Sequence, residues 1–143
     1  MYFVDRDQIE QRLTYIEQSL VEAAHQLERD MQTMQPLISR LAWERIMHLA
    51  IESVTDIGSL MIDGFIMRDA SSYEDIIDIL RDEGVFEQGT GQALYELVKL
   101  RRPLVQHYYE MDEQQLAQWI PQIKSVLLRF KQSVELYLQR ELA

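Results

Sequence analysis

Residues 5–34 read DRDQIEQRLTYIEQSLVEAAHQLERDMQTM, a stretch without glycine or proline. Ile9, Leu13, Ile16, Leu20, Ala23, Leu27 and Met31 recur at intervals of three and four. A helix over this span therefore lays one apolar stripe against a core and turns Glu, Gln and Arg outward. The same spacing continues downstream. Pro36 suits the first turn of a second helix, where its missing N–H costs nothing; Leu37, Leu41, Ile46, Ala50, Val54, Ile57 and Met61 carry an apolar face towards a stop at Gly64.

Beyond the polar segment Arg68–Ser72, Ser71 or Ser72 can cap a short helix from Tyr73 to Glu83, anchored by Ile76, Ile77 and Leu80 and ended by Gly84. Gln88-Gly89-Thr90-Gly91 reads as a turn before a helix bearing Leu94, Leu97, Val98, Leu100 and Leu104. Pro103 predicts a kink or break between Lys99 and Pro103. Asp112 caps a last helix from Glu113 to about Arg140, with Gln115 in the reciprocal capping position and Pro121 expected to bend it. Its inward face is Leu116, Ile120, Ile123, Leu127, Phe130, Val134 and Tyr137. The fold class is all-α: one domain over residues 1–143, an antiparallel bundle of about five helices.

Composition narrows the chemistry. With no cysteine among 143 residues, disulfides, thiolate metal sites and cysteine nucleophiles are excluded. A formal charge of −10 repels polyanions at long range, so a nucleic acid would need a local basic patch. The opening MYFVDRDQIEQRL lacks the basic start and apolar core of a signal peptide. No apolar run approaches the ~20 residues needed to span a bilayer, so a cytoplasmic chain without membrane contact is expected.

Several constellations have a plain reading. His25 and His48 sit on long helices, and only His48 with Glu52 has the four-residue spacing of a helical metal pair; no metal and no cofactor are expected. Glu52 and Asp56 share a helix face amid Ile51, Val54 and Ile57, and are read first as partners for arginines and second as acid or base groups. Gly89-Thr90-Gly91 is too short for a phosphate loop.

The exception is KLRRPLVQHYY, residues 99–109, where Lys99, Arg101, Arg102, His107, Tyr108 and Tyr109 gather in an acidic chain. Such a cluster suits a phosphate ester. A guanidinium grips phosphate through a planar fork and stabilises charge on the phosphorus oxygens. A histidine titrating near neutrality takes a proton from a ribose 2′-hydroxyl or gives one to a leaving oxygen, and tyrosine offers a stacking face. The competing reading is structural, with arginines on surface carboxylates and tyrosines plugging an interface.

These residues resemble the signature of the HEPN superfamily, an arginine followed four to six residues on by a histidine, and specifically its HepT-like branch, where a tyrosine follows two places later. Arg102, His107 and Tyr109 fit that spacing. Residues 44–62, ERIMHLAIESVTDIGSLMI, are similar to the family's second helix, SSYEDIIDILRDEGVF resembles the short helix that follows, and the opening is like YutE-like bacterial members. The resemblance implies a helical homodimer with its arginine and histidine sets meeting in a cleft. It also implies a metal-independent endoribonuclease acting as a toxin on RNA, and a small MNT-type nucleotidyltransferase antitoxin that adds AMP to the motif tyrosine. By the same resemblance Arg102, with Arg101 as second candidate, holds the scissile phosphate and His107 transfers protons. Lys99, Arg101 and Gln106 contribute to RNA binding, Tyr109 or else Tyr108 is modified, and Glu52 or Asp56 supports the arginines.

Two registers stay open. The family's usual form, an arginine, an asparagine or aspartate, then Leu-Val-His, aligns without gaps on Arg101, Gln106 and Tyr108, and puts Pro103 at a polar motif position. Glutamine cannot shuttle a proton, so this register implies a degenerate HEPN protein that binds RNA, nucleotide or a nucleotidyltransferase. The third alternative is a dimeric scaffold whose cluster makes only salt bridges.

Overall fold

The first helix forms where its stripe predicts, but it does not hold one pitch. In the computed structural model, which describes residues 2–142, α1 (Arg6–Tyr15) is capped by Asp5, whose side chain accepts from the Gln8 backbone N–H at 3.1 Å. It widens into a π-helical segment, Ile16–Val21, and resumes as α2 (Glu22–Asp30). The wider turn takes up extra residues and shifts the inward phase. Ala24 is consequently buried in place of the expected Ala23, and Met31, just past the helix end, lies partly exposed.

α3 (Pro36–Gly64) begins with Pro36 in its first turn, and the Gln35 side chain accepts from the Ile38 N–H at 2.8 Å. Its first two turns are rotated relative to the expected face. Trp43 and Met47 occupy the core, which carries Leu37 and Leu41 to the outside, both more than half exposed; burying the indole removes more apolar surface from water than either leucine would. From Ile46 to Met61 the expected face is buried. Gly64 closes the helix and lets the N-terminal segment approach, since a Cβ there would sit 2.9 Å from the Val4 Cα. The left-handed turn itself falls on Ile66, with φ 56°.

Ser72 caps α4 (Tyr73–Asp82), accepting from the Asp75 N–H at 3.0 Å, and Gly84 follows with φ 76°. Gln88–Gly91, expected as a turn, instead forms the first turn of α5 (Gln88–Lys99). A Cβ at Gly91 would meet the Arg81 Cγ at 2.7 Å, so the glycine serves close helix packing against α4. α6 (Arg101–Gln106) follows a break at Leu100. The expected last helix divides into α7 (Glu113–Trp119) and α8 (Ile123–Glu141) around Pro121, whose missing N–H and ring do not fit a continuous helix. Asp112 caps α7 by accepting from Gln114; no hydrogen bond from Gln115 completes the reciprocal box among the described residues.

α3 is the central element, packed against α1, α2, α4 and α6, while α8 closes the core against α5 and the π segment. No strand occurs among the described residues, and no helix among them is long and apolar enough to cross a membrane.

The loop before α4 is pinned by one carboxylate. Asp75 accepts from both Arg68 Nη atoms at 2.8 Å, from the Ser71 N–H at 2.9 Å and from the Ser71 hydroxyl at 3.1 Å. The Arg68 hydrogen bonds, then those from Ser71, hold its carboxyl far below the usual carboxylate range. Because the folded pKa is depressed, this contribution to stability is complete above the ordinary carboxylate pKa, about 4, and is lost as pH falls below it towards the folded value. Asp75→Asn is expected to lower the melting temperature at pH 7, with the difference from the parent chain shrinking as melting is followed down to pH 2. A constant difference across that range would show that the charge is not what matters.

Candidate active site

The KLRRPLVQHYY segment is shaped by a helix break and a helix end. At Leu100 the chain tightens, its N–H donating to the Leu97 carbonyl at 3.0 Å, and α6 starts afresh. Pro103 thus falls in the first turn of a new helix, where the missing N–H removes no intrahelical bond. Buried Leu104 anchors this short helix against α3. Gln106 is its last residue. His107 leaves the helix with φ −126° and ψ 39°, and Tyr108–Glu110 form a 3-10 turn.

Arg101 and Arg102 have different surroundings. Arg101 turns back to α3: its Nε donates to Glu52 Oε1 at 2.9 Å, and its guanidinium lies over the Tyr73 ring, 3.8 Å from the centroid. With Nε on a carboxylate and one face on an aromatic ring, the guanidinium plane is held from two sides. Its side chain is only 22% exposed, and neither Nη has a hydrogen-bond partner among the described residues. Arg102 is exposed and makes no ion pair among the described residues. It shares a helix face with Gln106, four residues on.

His107, Tyr108 and Tyr109 form an exposed aromatic group. The His107 and Tyr109 rings lie 6.4 Å apart, those of Tyr108 and Tyr109 5.6 Å apart, both edge to face. The tyrosines are 64% and 68% exposed. Lys99 lies elsewhere: it pairs with Glu96 at 3.5 Å and sits over Tyr95, on the side of α5 that faces Trp119 and Gln122.

Glu52 and Asp56 of α3 each face an arginine, as their place at the core margin suggested. Glu52 holds Arg101, whereas Asp56 faces Arg12 of α1 at 3.7 Å, away from α6. Two participants were not visible as such in the sequence. Tyr73 shows in the sequence only as the start of a helix. His48 places Nε2 3.5 Å from Glu52 Oε1 and has Arg45 at its other ring nitrogen. The four-residue spacing of His48 and Glu52 was the available signal; nothing local pointed to Tyr73.

Taken together, the region offers a fixed guanidinium fork, a free guanidinium, an exposed imidazole and two exposed tyrosines, which is a set suited to gripping an anion and moving a proton beside it.

Comparison with known proteins bears on family and fold. The family model described as ribonuclease HepT-like matches residues 6–134. YutE of Bacillus subtilis, named as a candidate RNase, is 43% identical over 99% of this chain and 95% of its own. An Archaeoglobus fulgidus candidate RNase is 26% identical over 64% of this chain and 68% of its own. The solved structure of YutE, described as a cytosolic protein of unknown function, superposes with a TM-score of 0.86, covering 99% of this chain and 96% of that one. A tri-AMPylated HEPN toxin of Shewanella oneidensis, in complex with an MNT antitoxin, has a TM-score of 0.78 at 16% identity, over 89% of this chain and 96% of that one, and shows the shared fold.

Proposed function

Given that this chain belongs to the HepT-like ribonuclease family, we propose that it is a metal-independent endoribonuclease of the toxin class, working as a homodimer on single-stranded RNA. The observation that carries this reading is the Arg101 guanidinium, held by Glu52 and Tyr73 with its Nη atoms unpartnered among the described residues, on the short helix that also carries exposed Arg102 and ends at His107. A phosphate gripped there meets a planar fork that needs no reordering as charge builds on its oxygens. Arg101 and Arg102 hold the scissile phosphate. His107 takes the proton of the neighbouring 2′-hydroxyl as that oxygen bonds to phosphorus, and the bond to the 5′-oxygen breaks with a proton supplied by water. The products are a 2′,3′-cyclic phosphate and a 5′-hydroxyl. Gln106, on the same helix face as Arg102, binds backbone or base. Lys99 contributes only long-range attraction, because its side chain faces Glu96.

Two copies of the segment, meeting at a two-fold axis, would concentrate the positive charge that a chain of net charge −10 otherwise lacks. The partner in this reading is an MNT-type nucleotidyltransferase antitoxin, as in the complex of the Shewanella toxin. Tyr109, with Tyr108 as the alternative, accepts AMP; both are exposed enough to be reached. The work is done in the cytoplasm.

A second reading is favoured by Gln106, which ends α6 while His107 stands off the helix: a catalytically degenerate member that binds RNA and does not cut it. The test is incubation of the purified, unmodified chain with a mixed single-stranded RNA pool in excess chelator, with mass measured by light scattering. Cyclic-phosphate fragments from a dimer are expected. RNA bound but left intact by the folded dimer would favour the degenerate reading.

A further inference from the structure

Arg101 is not the end of the basic chain. Along α3, one and two turns before Glu52, Arg45 Nη1 lies 3.3 Å from His48 Nδ1, His48 Nε2 lies 3.5 Å from Glu52 Oε1, and the same Glu52 oxygen accepts from Arg101 Nε at 2.9 Å. A guanidinium can only donate, so His48 Nδ1 accepts and its Nε2 carries the hydrogen that faces Glu52. Glu52 is thereby the one carboxylate in a contiguous line that contains Arg45, His48 and Arg101. Arg45 is exposed, its guanidinium rests on an imidazole and not on an acid, and it makes no ion pair among the described residues. Most other cations of this acidic chain sit on a carboxylate, as Arg40 does on Glu44 and Glu113, Arg68 on Asp75 and Lys124 on Glu28. An arginine held against a histidine, with most of its five donors unused, is arranged to receive an anion from outside.

Arg45 and Glu52 are seven residues apart on one helix, about 10 Å of rise, too far for one phosphate to touch both Arg45 and the fork of Arg101. We propose that Arg45, held on His48, is a second phosphate subsite continuous with Arg101, so that the ligand of this face is an RNA backbone of at least two phosphates. The proposal rests on the ribonuclease reading for the first phosphate and adds the direction of the strand, which runs from α6 along α3 towards its N-terminal half. On this reading a mononucleotide satisfies Arg101 and leaves Arg45 empty.

The test uses binding alone. A 2′-O-methyl RNA hexamer, which has no 2′-hydroxyl to be attacked, and uridine 3′-monophosphate are titrated into the parent chain and into Arg45→Gln between 50 and 300 mM NaCl. For single strands log K falls with log salt by about 0.7 for each phosphate neutralised. Arg45→Gln is expected to bind the hexamer more weakly at low salt, to lower its salt slope by about 0.7, and to bind the mononucleotide as the parent does. Parent-like affinity and slope for the hexamer would overturn the subsite while leaving the ribonuclease reading intact. Equal losses for hexamer and mononucleotide would also overturn it, because Arg45 would then act only by holding His48 and Glu52. Failure of the parent chain itself to bind the hexamer would overturn both readings. Melting curves for Arg45→Gln should match the parent, since the side chain is exposed.

Discussion

Replacing His107 with alanine is expected to reduce RNA cleavage about 10²- to 10⁴-fold, the range associated with removing a positioned acid or base. RNA affinity should change little and the melting temperature not at all. The ring is exposed and makes no hydrogen bond among the described residues, so its removal leaves no buried group unpaired. The same substitution at Gln106 separates the two registers. With Arg102, His107 and Tyr109 as the working set, Gln106→Ala weakens binding and spares most of the rate. Should the parent chain bind RNA without cleaving it, and Gln106→Ala lose that binding while His107→Ala keeps it, proton transfer by His107 is excluded and the register on Arg101, Gln106 and Tyr108 gains. Single-turnover rates, measured with the chain in excess over labelled RNA, keep binding and chemistry apart.

The second large effect is on stability. Phe130 of α8 is fully buried and lies against Phe86, with ring centroids 5.8 Å apart. Phe130→Ala removes a large apolar area and leaves a cavity that helices packed on several sides cannot close, at a cost of about 3–5 kcal/mol. For a chain of 143 residues this corresponds to a fall in melting temperature of roughly 10 °C or more. Activity should fall with it at 37 °C, because α8 packs on α5 and α5 leads directly into α6. Denaturant melts followed by circular dichroism give the free energy. A loss below 1 kcal/mol would mean that the core around Phe86 repacks and that α8 does not support the site.

The all-helical class and the places of Pro36, Ser72, Gly84, Pro103 and Asp112 follow from local chemistry: periodicity, caps and breakers act within a turn or two of where they stand. The KLRRPLVQHYY cluster was legible for a related reason, since three cations and a histidine in a chain of net charge −10 are conspicuous without any coordinates. Packing decided what local rules leave open. Trp43 and Met47 are buried and Leu37 and Leu41 are not because a helix can present only one face inward, and at 100° per residue positions 43 and 47 continue the face of Ala50, Val54, Ile57 and Met61. The π turn moved burial from Ala23 to Ala24, a shift of phase that a strict helical period does not contain. Gly91 entered a helix because α4 needed the space of its missing side chain.

The difference between Arg101 and Arg102 is likewise tertiary. Adjacent in sequence and alike in chemistry, they point about 100° apart on α6; only the packing of α6 on α3 and the placement of α4 bring Glu52 and Tyr73 to one of them. Periodicity and composition, being properties of neighbours along the chain, specify a helical chain with one basic, histidine-bearing segment. Which arginine is held, by which carboxylate and ring, and that Arg45 and His48 join the same line, was decided by contacts between residues up to 49 positions apart, and such contacts exist only once the core has chosen how the helices lie.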